Sequence, residues 1–219
     1  MRILVLGITG MLGSAVFKSL CEAKQFQVWG SQRGNAPHPK LANMRASGIL
    51  TGLDVLDQDS LVNAFTKVKP DVVINCVGLI KQLDQANDPL VALPINAMLP
   101  HRLARLCSLA GARLVHISTD CVFNGRKGNY LESDPSDAED LYGRSKYIGE
   151  LYDSSSAITL RTSIIGHELG TSFALLEWFL AQQGSVKGFS KAIFSGVPTC
   201  ELARIIIEYV LPKPQLYGL

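Results

Sequence analysis

A glycine-rich turn between an apolar strand and a helix opens the chain and restricts the folds available to it. Residues 2–6 form a short apolar run, typical of a buried parallel strand, and residues 14–20 have helical periodicity. At such a turn glycine lets the backbone approach a diphosphate, which the free N–H groups of the helix start then bind. A plain tight turn would need glycine as well. The turn predicts dinucleotide contacts at Gly7, Thr9, Gly10, Met11, Leu12 and Gly13.

The remainder of the chain alternates short apolar runs with longer helical patterns. Strands are predicted at 26–31, 49–53, 71–76, 113–118 and 158–161, and helices at 60–67, 95–110 and 141–152. This alternation favours an α/β fold with a doubly wound, Rossmann-like parallel sheet. We expect a dinucleotide-binding domain at 1–165 that carries the catalytic residues. A small substrate region at 166–219 follows, with a return helix that packs on that domain.

Charge and hydropathy exclude several classes of protein. The formal net charge of +2 gives no reason to expect nucleic acid or an anionic membrane as a partner. No apolar run reaches 18 residues and the N-terminus leads straight into a strand. Neither a membrane span nor a signal peptide is therefore predicted, and a cytoplasmic location is expected. The five cysteines are dispersed, which indicates free thiols and no metal site.

Tyr142 and Lys146 lie four residues apart in a predicted helix and therefore share a face. A nearby ammonium favours phenolate, so we expect Lys146 to lower the pKa of Tyr142 and to let it exchange a proton near neutral pH. Ser118, Thr119 and Asp120 end the strand that precedes this helix. A hydroxyl there can hold a carbonyl oxygen during hydride attack, and Asp120 can orient the substrate. Each pattern also has a plainer interpretation, as helix-surface residues or as a polar strand end.

Taken together, these motifs resemble the extended short-chain dehydrogenases/reductases. The glycine turn, Ser-Thr-Asp-Cys-Val-Phe-Asn-Gly at 118–125, Tyr-Gly-x-Ser-Lys at 142–146 and Gly-Glu at 149–150 match in order and spacing. Within that family they are most similar to the dTDP-4-dehydrorhamnose reductase group, and the resemblance covers nearly the whole chain. It implies Thr119, Tyr142 and Lys146 as the catalytic set, with Asp120 as an accessory residue.

The end of the second predicted strand favours NADP(H) over NAD. An acidic residue there would bind the ribose 2′-hydroxyl of NAD, but residues 30–33 read Gly-Ser-Gln-Arg. Arg33 can pair with a 2′-phosphate and Ser31 can donate a hydrogen bond, with an arginine in an exposed loop as the alternative.

The resemblance also implies further contacts with cofactor and substrate. Cofactor contacts are implied at Asp54, Val55, Cys76, Val77, Gly78, Asn96, Tyr142 and Lys146. Substrate contacts are implied at Thr119, Asp120, Val122, Phe123 and Arg161, and segments 161–163 and 198–199 match regions near these ligands. Lys81 lies in a stretch that departs from the family and is a further candidate for binding a phosphate or sugar oxygen of the substrate. A solvated lysine at 81 and a buried structural role for Asn96 stay open.

By the same resemblance, the expected reaction is NADPH-dependent reduction of a keto group, at C4, of a nucleotide-activated sugar in surface polysaccharide synthesis. The partner would be the nucleotide sugar, and a homodimer is a further option. Two alternatives stay open: a non-catalytic NADP-binding module that regulates a partner enzyme, and a nucleotide-sugar epimerase. Dehydration is disfavoured because Cys121 follows Asp120, where dehydratases carry an acidic pair.

Two expectations concern the C-terminal part of the chain. Members of this reductase group usually continue further, so we expect a truncated substrate region at 166–219. The apolar run around Trp178 has helical spacing, which predicts that Trp178 is buried in the core.

Overall fold

Six parallel strands form the central sheet of the computed structural model, which describes residues 1–219. They are β1 Arg2–Leu6, β2 Gln27–Ser31, β3 Gly48–Leu50, β4 Val72–Asn75, β5 Arg113–Ile117 and β6 Ala157–Leu160. A two-stranded parallel sheet pairs β7 Ile164–Ile165 with β8 Val197–Pro198. The helices are α1 Met11–Glu22, α2 Pro39–Ala42, α3 Gln58–Val68, α4 Pro89–Ala92, α5 Leu99–Ala110, α6 Leu141–Ile148, α7 Leu175–Leu180 and α8 Thr199–Ile205. Two 3₁₀ turns (Asp84–Asn87, Asp120–Val122) and two π-helical segments (Leu93–Met98, Ile206–Val210) complete the chain.

The strand order of the large sheet is β3-β2-β1-β4-β5-β6, which confirms the predicted doubly wound fold. β1 lies at the centre, where Leu4 is in register with Trp29 of β2 and with Val73 of β4. The strand order reverses between β1 and β4. In sheets of this kind, ligands bind at that reversal, outside the carboxyl ends of the strands.

The central strand is buried on both faces because its alternate residues enter two different cores. Ile3 and Val5 pack on the side of α1 and α8. Leu4 and Leu6 pack on the side of α3 and α5. A strand enclosed on both sides must be apolar throughout, and this explains the continuous apolar run at 2–6.

The C-terminal helix returns to the first of these cores. Leu202 of α8 and Ile206 beyond it are buried in the same cluster as Phe17 of α1. Further on, the N–H of Gly218 donates to β6 at 2.8 Å and its carbonyl accepts from β6 at 2.7 Å. Residues beyond 198 are thus integrated into the layers of the first part of the chain.

Local features explain three of the differences between the predicted and the observed element boundaries. The helix predicted at 141–152 ends at Ile148, since Gly149, a poor helix former, follows it. The strand predicted at 49–53 ends at Leu50, because Gly52 has a φ of +67° that leaves the extended region. The helix predicted at 95–110 is π-helical up to Met98 and α-helical from Leu99. Pro100 follows this change directly, and it cannot donate the backbone hydrogen bond of a regular helix.

Trp178 is 43% exposed, so the prediction that it lies in the core is wrong. Its helix α7 has no buried residue. Neither core of the large sheet includes a residue of α7. None of the helices, α7 included, has the length and apolarity needed to cross a membrane.

Candidate active site

A cleft of about 390 Å³ opens at the carboxyl edge of the sheet, where the strand order reverses. Five stretches of chain converge on it: the glycine turn, the segment after β4, the end of β5, helix α6 and the region after β6. Of the predicted site residues, those that line it are Gly10, Met11, Leu12, Cys76, Val77, Gly78, Lys81, Thr119, Asp120, Tyr142 and Lys146. Most of the predicted catalytic and cofactor-contacting chemistry therefore faces one space.

The glycine turn presents an open helix start to this cleft. Helix α1 follows Gly10 with no side-chain cap and no acidic residue in its first turn. A Cβ atom on Gly13 would lie 2.1 Å from the carbonyl oxygen of Gly7, so only glycine allows this tight packing of helix against turn. Uncapped N–H groups and the positive end of the helix dipole suit a diphosphate. The turn therefore fits the dinucleotide that the sequence predicts.

Helix α6 brings Tyr142 against the end of β5. Its N-cap, Asp140, accepts a hydrogen bond from the N–H of Gly143 at 2.7 Å. A Cβ atom on Gly143 would lie 2.3 Å from the carbonyl oxygen of Cys121, so glycine permits the close approach of helix and turn. The Tyr142 and Thr119 side chains line the same cleft as a result. The Thr119 hydroxyl also accepts from the N–H of Cys121 at 3.1 Å, which fixes its orientation.

Lys146 is buried below the cleft, with 5% of its surface exposed. Its Nζ donates to the carbonyl oxygen of Ile117, the last residue of β5, at 2.7 Å. Burial lowers the pKa of Lys146 to about 8, and the charge of Glu150 acts in the opposite direction. Lys146 is therefore close to its titration midpoint at mildly alkaline pH.

The expected effect of Lys146 on the phenol is not what the structure shows. Burial raises the pKa of Tyr142 to about 12, opposed by the hydrogen bond with Thr119. The titratable neighbours that act on the phenol are Cys121, Asp120 and Asp140, which all raise its pKa further. Tyr142 is thus held as a neutral phenol, the form that can donate a proton. The four-residue spacing of Tyr142 and Lys146 predicts that both reach the same cleft, but it does not predict the direction in which the pKa of Tyr142 shifts.

Asn96 lies beside the cleft and supports the active-site segments. Its Oδ1 accepts from the N–H of Leu79 at 2.9 Å, and its Nδ2 donates to the hydroxyl of Ser145 at 3.2 Å. A Cβ atom on Gly78 would lie 3.5 Å from Oδ1 of Asn96 and 3.7 Å from Nζ of Lys146, so the chain at Gly78 passes close to both side chains. Asn96 therefore links the segment after β4 to α6.

Other residues predicted to contact the cofactor lie at or after the ends of β2 and β3, at the same edge of the sheet. Ser31 is buried, and its carbonyl oxygen accepts from the N–H groups of Gly7 and Ile8 at 3.1 and 3.0 Å. Thr9, Arg33 and Asp54 are exposed and Val55 is half-buried. The Arg33 guanidinium takes part in no salt bridge.

The neighbouring Gln32 holds the loop that carries Arg33. Its side-chain nitrogen donates to the carbonyl oxygens of Gly34 and Ala36, and its oxygen accepts from the N–H of His38 at 3.1 Å. This loop is thus an ordered turn beside the predicted 2′-phosphate position.

Three residues expected to contact substrate lie outside the cleft. Val122 is fully buried, and Phe123 stacks on Tyr130 with ring centroids 4.2 Å apart. The Arg161 side chain is turned towards Glu150, whose carboxylate it binds at 2.8 and 2.9 Å. None of these three residues lines the cleft, so a direct substrate contact by Val122, Phe123 or Arg161 has no support in this geometry.

Lys81 stands at the cleft mouth but is already paired. Its Nζ lies 2.6 Å from a carboxylate oxygen of Asp140, the N-cap of α6. More than half of the Lys81 side chain is exposed, so the ion pair is accessible to solvent. A charged group on a ligand would have to compete with Asp140 for this ammonium.

An apolar wall completes the cleft on the C-terminal side, and sequence reasoning missed it. Its members are Ile164, Ile165, Gly166, Ala174, Leu175, Leu176 and Phe194. Leu175 and Phe194 are 63% and 55% exposed, which is high for such side chains. No local pattern marks these residues as one surface, because they come from three separate segments.

Comparisons with known proteins agree with this architecture. A family model described as the RmlD substrate binding domain matches residues 1–210. The spore coat polysaccharide biosynthesis protein SpsK of Bacillus subtilis is 33% identical over 172 residues, covering 75% of this chain and 60% of SpsK. Methionine adenosyltransferase 2 subunit beta of Bos taurus is 28% identical over 171 residues, covering 77% of this chain and 48% of the subunit. The chain thus spans between half and three-fifths of the length of these relatives.

A solved structure gives the same picture. The crystal structure of dTDP-4-dehydrorhamnose reductase from Bacillus anthracis, in complex with NADP, superposes with a TM-score of 0.77 at 25% identity. The alignment covers 99% of this chain and 73% of that chain. The similarity therefore includes the C-terminal region that packs on α1.

Proposed function

Because the chain belongs to the family of the RmlD substrate binding domain, we propose that it reduces a keto group, at C4, of a nucleotide-activated sugar with NADPH. The setting would be the synthesis of a surface polysaccharide. Support for the setting comes from SpsK, a relative named for spore coat polysaccharide biosynthesis. Support for the reaction comes from the similar reductase structure that holds NADP.

One observation carries the proposal: Thr119, Tyr142 and Lys146 line the same cleft as the uncapped start of α1. In that cleft an acid, a hydrogen-bonding hydroxyl and a buried cation lie beside a diphosphate-compatible turn. Residues Gly10, Met11 and Leu12 would hold the diphosphate of NADPH. The bound cofactor would supply the hydride.

The residues of the chain would then handle the substrate oxygen. Tyr142 is a neutral phenol at physiological pH and can donate its proton to the developing alkoxide. The Thr119 hydroxyl can hold that oxygen in place. Lys146, fixed by the Ile117 carbonyl, contributes a positive charge below the reacting groups, which favours negative charge on the oxygen.

The direct test is to follow NADPH oxidation by absorbance with a panel of 4-keto nucleotide sugars. We expect turnover with at least one sugar and a loss of about 100-fold or more in kcat for Tyr142→Phe, because the proton donor is removed. Tyr147→Phe is the matched control: it lies on the same helix, outside the cleft, and packs edge-on against Tyr152. Equal activity of wild type and Tyr142→Phe would overturn the proposal.

A second candidate is a non-catalytic NADP-binding module that regulates a partner enzyme. It is favoured by the relative named methionine adenosyltransferase 2 subunit beta, which matches 77% of this chain. The exposed apolar wall of the cleft also fits a surface that a further segment or protein covers. Tight NADPH binding without turnover on any sugar of the panel would favour this candidate over the reductase.

A further inference from the structure

Glu150, just beyond the end of α6, holds a buried carboxylate whose acceptor sites are all occupied. One oxygen accepts from the Ser118 hydroxyl at 2.6 Å and from Nε of Arg161 at 2.9 Å. The other accepts from Nη2 of Arg161 at 2.8 Å and from the Tyr152 hydroxyl at 2.5 Å. The Glu150 side chain has no exposed surface. A buried carboxylate is tolerated only with such complete pairing, so the arrangement is specific.

Glu150 and Lys146 together hold two consecutive residues at the end of β5. Glu150 lies four residues after Lys146, and Lys146 lies four residues after Tyr142. Lys146 donates to the carbonyl oxygen of Ile117, and Glu150 accepts from the hydroxyl of Ser118. The catalytic threonine is the next residue. The chain that leads into Thr119 is therefore held by two polar contacts, one from α6 and one from the residue just beyond it.

The ion pair also reaches the loop that follows the active-site turn. Nη1 of Arg161 donates to the carbonyl oxygen of Glu132 at 3.1 Å. The same guanidinium lies 5.0 Å from the ring centre of Phe123, which stacks on Tyr130. Glu150 orients this guanidinium, so it indirectly anchors the loop to the sheet.

The charge of Glu150 acts on the catalytic lysine as well. Burial lowers the pKa of Lys146, while Glu150 and the thiol of Cys76 raise it. His116 is the other titratable group that faces this ammonium. It is buried, and both its burial and the charge of Lys146 lower its pKa. Glu150 is thus the carboxylate that offsets the positive charge of Lys146 in the interior.

We propose that Glu150 is a positioning residue: through its hydrogen bond with Ser118 it holds the neighbouring Thr119 hydroxyl close to the helix that carries Tyr142, and its charge supports the Lys146 ammonium on that helix. This inference rests on the proposed reduction, in which those two hydroxyl groups act on one substrate oxygen. Arg161 serves the same purpose by fixing the Glu150 carboxylate, and this explains why a residue predicted to touch substrate is turned away from the cleft.

The test uses Glu150→Gln, which keeps the size and loses the charge, with the exposed Glu208→Gln as a surface control. The first readout is a titration of the lysine ¹³Cε resonance of Lys146 by NMR, assigned by its absence in Lys146→Met. The second is kcat and KM against pH. A double variant, Glu150→Gln with Arg161→Gln, removes the ion pair as a whole and avoids leaving an unpaired buried guanidinium.

We expect the midpoint of Lys146 to fall by about one pH unit in both the single and the double variant, because each lacks the offsetting carboxylate. In Glu150→Gln, kcat should fall by about tenfold to hundredfold with KM for NADPH changed less than about threefold. An unchanged midpoint, or an unchanged kcat, overturns the proposal. The NMR titration needs no turnover, so absence of reductase activity in the wild type would count against the proposed function alone.

Discussion

The cost of burying the Lys146 ammonium predicts that Lys146→Met stabilises the fold while it abolishes activity. Burial lowers the pKa of this lysine from 10.5 to about 8. A shift of that size corresponds to roughly 3 kcal/mol of destabilisation at neutral pH. Methionine also loses the hydrogen bond to the Ile117 carbonyl, worth about 1–2 kcal/mol. The variant should therefore be more stable than the wild type by about 1–2 kcal/mol at pH 7.

The pH dependence of this difference is the sharper part of the prediction. Between about pH 8 and 10.5 the unfolded chain binds the lysine proton and the folded chain does not. The stability of the wild type therefore rises with pH across that window, relative to a variant without the group. The stability advantage of Lys146→Met should shrink by about 2 kcal/mol between pH 7 and pH 9.5.

Urea unfolding of both proteins at the two pH values measures this directly. The exposed Lys187→Met serves as the control, with a difference from the wild type that does not change with pH. A stability difference for Lys146→Met that is the same at both pH values would refute the reasoning. So would a variant that is less stable than the wild type at pH 7, because the interior would then favour the ammonium.

Three further predictions follow from the cleft. Gly13→Ala places a Cβ atom 2.1 Å from the carbonyl oxygen of Gly7, so the turn must shift. We expect about 1–3 kcal/mol of destabilisation and a loss of NADPH binding, measured by fluorescence titration. Gly188→Ala is the control, because its Cβ atom would lie in open space, and it should leave stability and NADPH binding unchanged. Arg33→Ala should weaken NADPH by about tenfold or more and leave NADH nearly unaffected; equal losses by calorimetry would rule out the 2′-phosphate contact. The kcat/KM of the wild type should fall as pH rises through about 8, where Lys146 loses its proton, and a flat profile from pH 7 to 9 would contradict that assignment.

Features that depend on neighbouring residues were predictable from the sequence. The apolar run at 2–6 had to be a strand enclosed on both faces, and the glycines after it had to form the turn at the sheet edge. The four-residue spacing of Tyr142 and Lys146 places both on the cleft face of α6. These are local regularities of backbone geometry, and they hold wherever the element ends up in the fold.

The tertiary structure decided the features that depend on distant residues. Whether Tyr142 ionises easily follows from its burial and from three acidic or thiol neighbours, which no spacing records. Arg161 binds Glu150 because the segment that follows α6 lies beside β6 and the residue after it, although its position in the sequence resembles a substrate contact. The exposure of Trp178 and the apolar wall of the cleft depend on which layers cover the last third of the chain. Burial and long-range pairing set the chemistry of these side chains, and both exist only once the chain is folded.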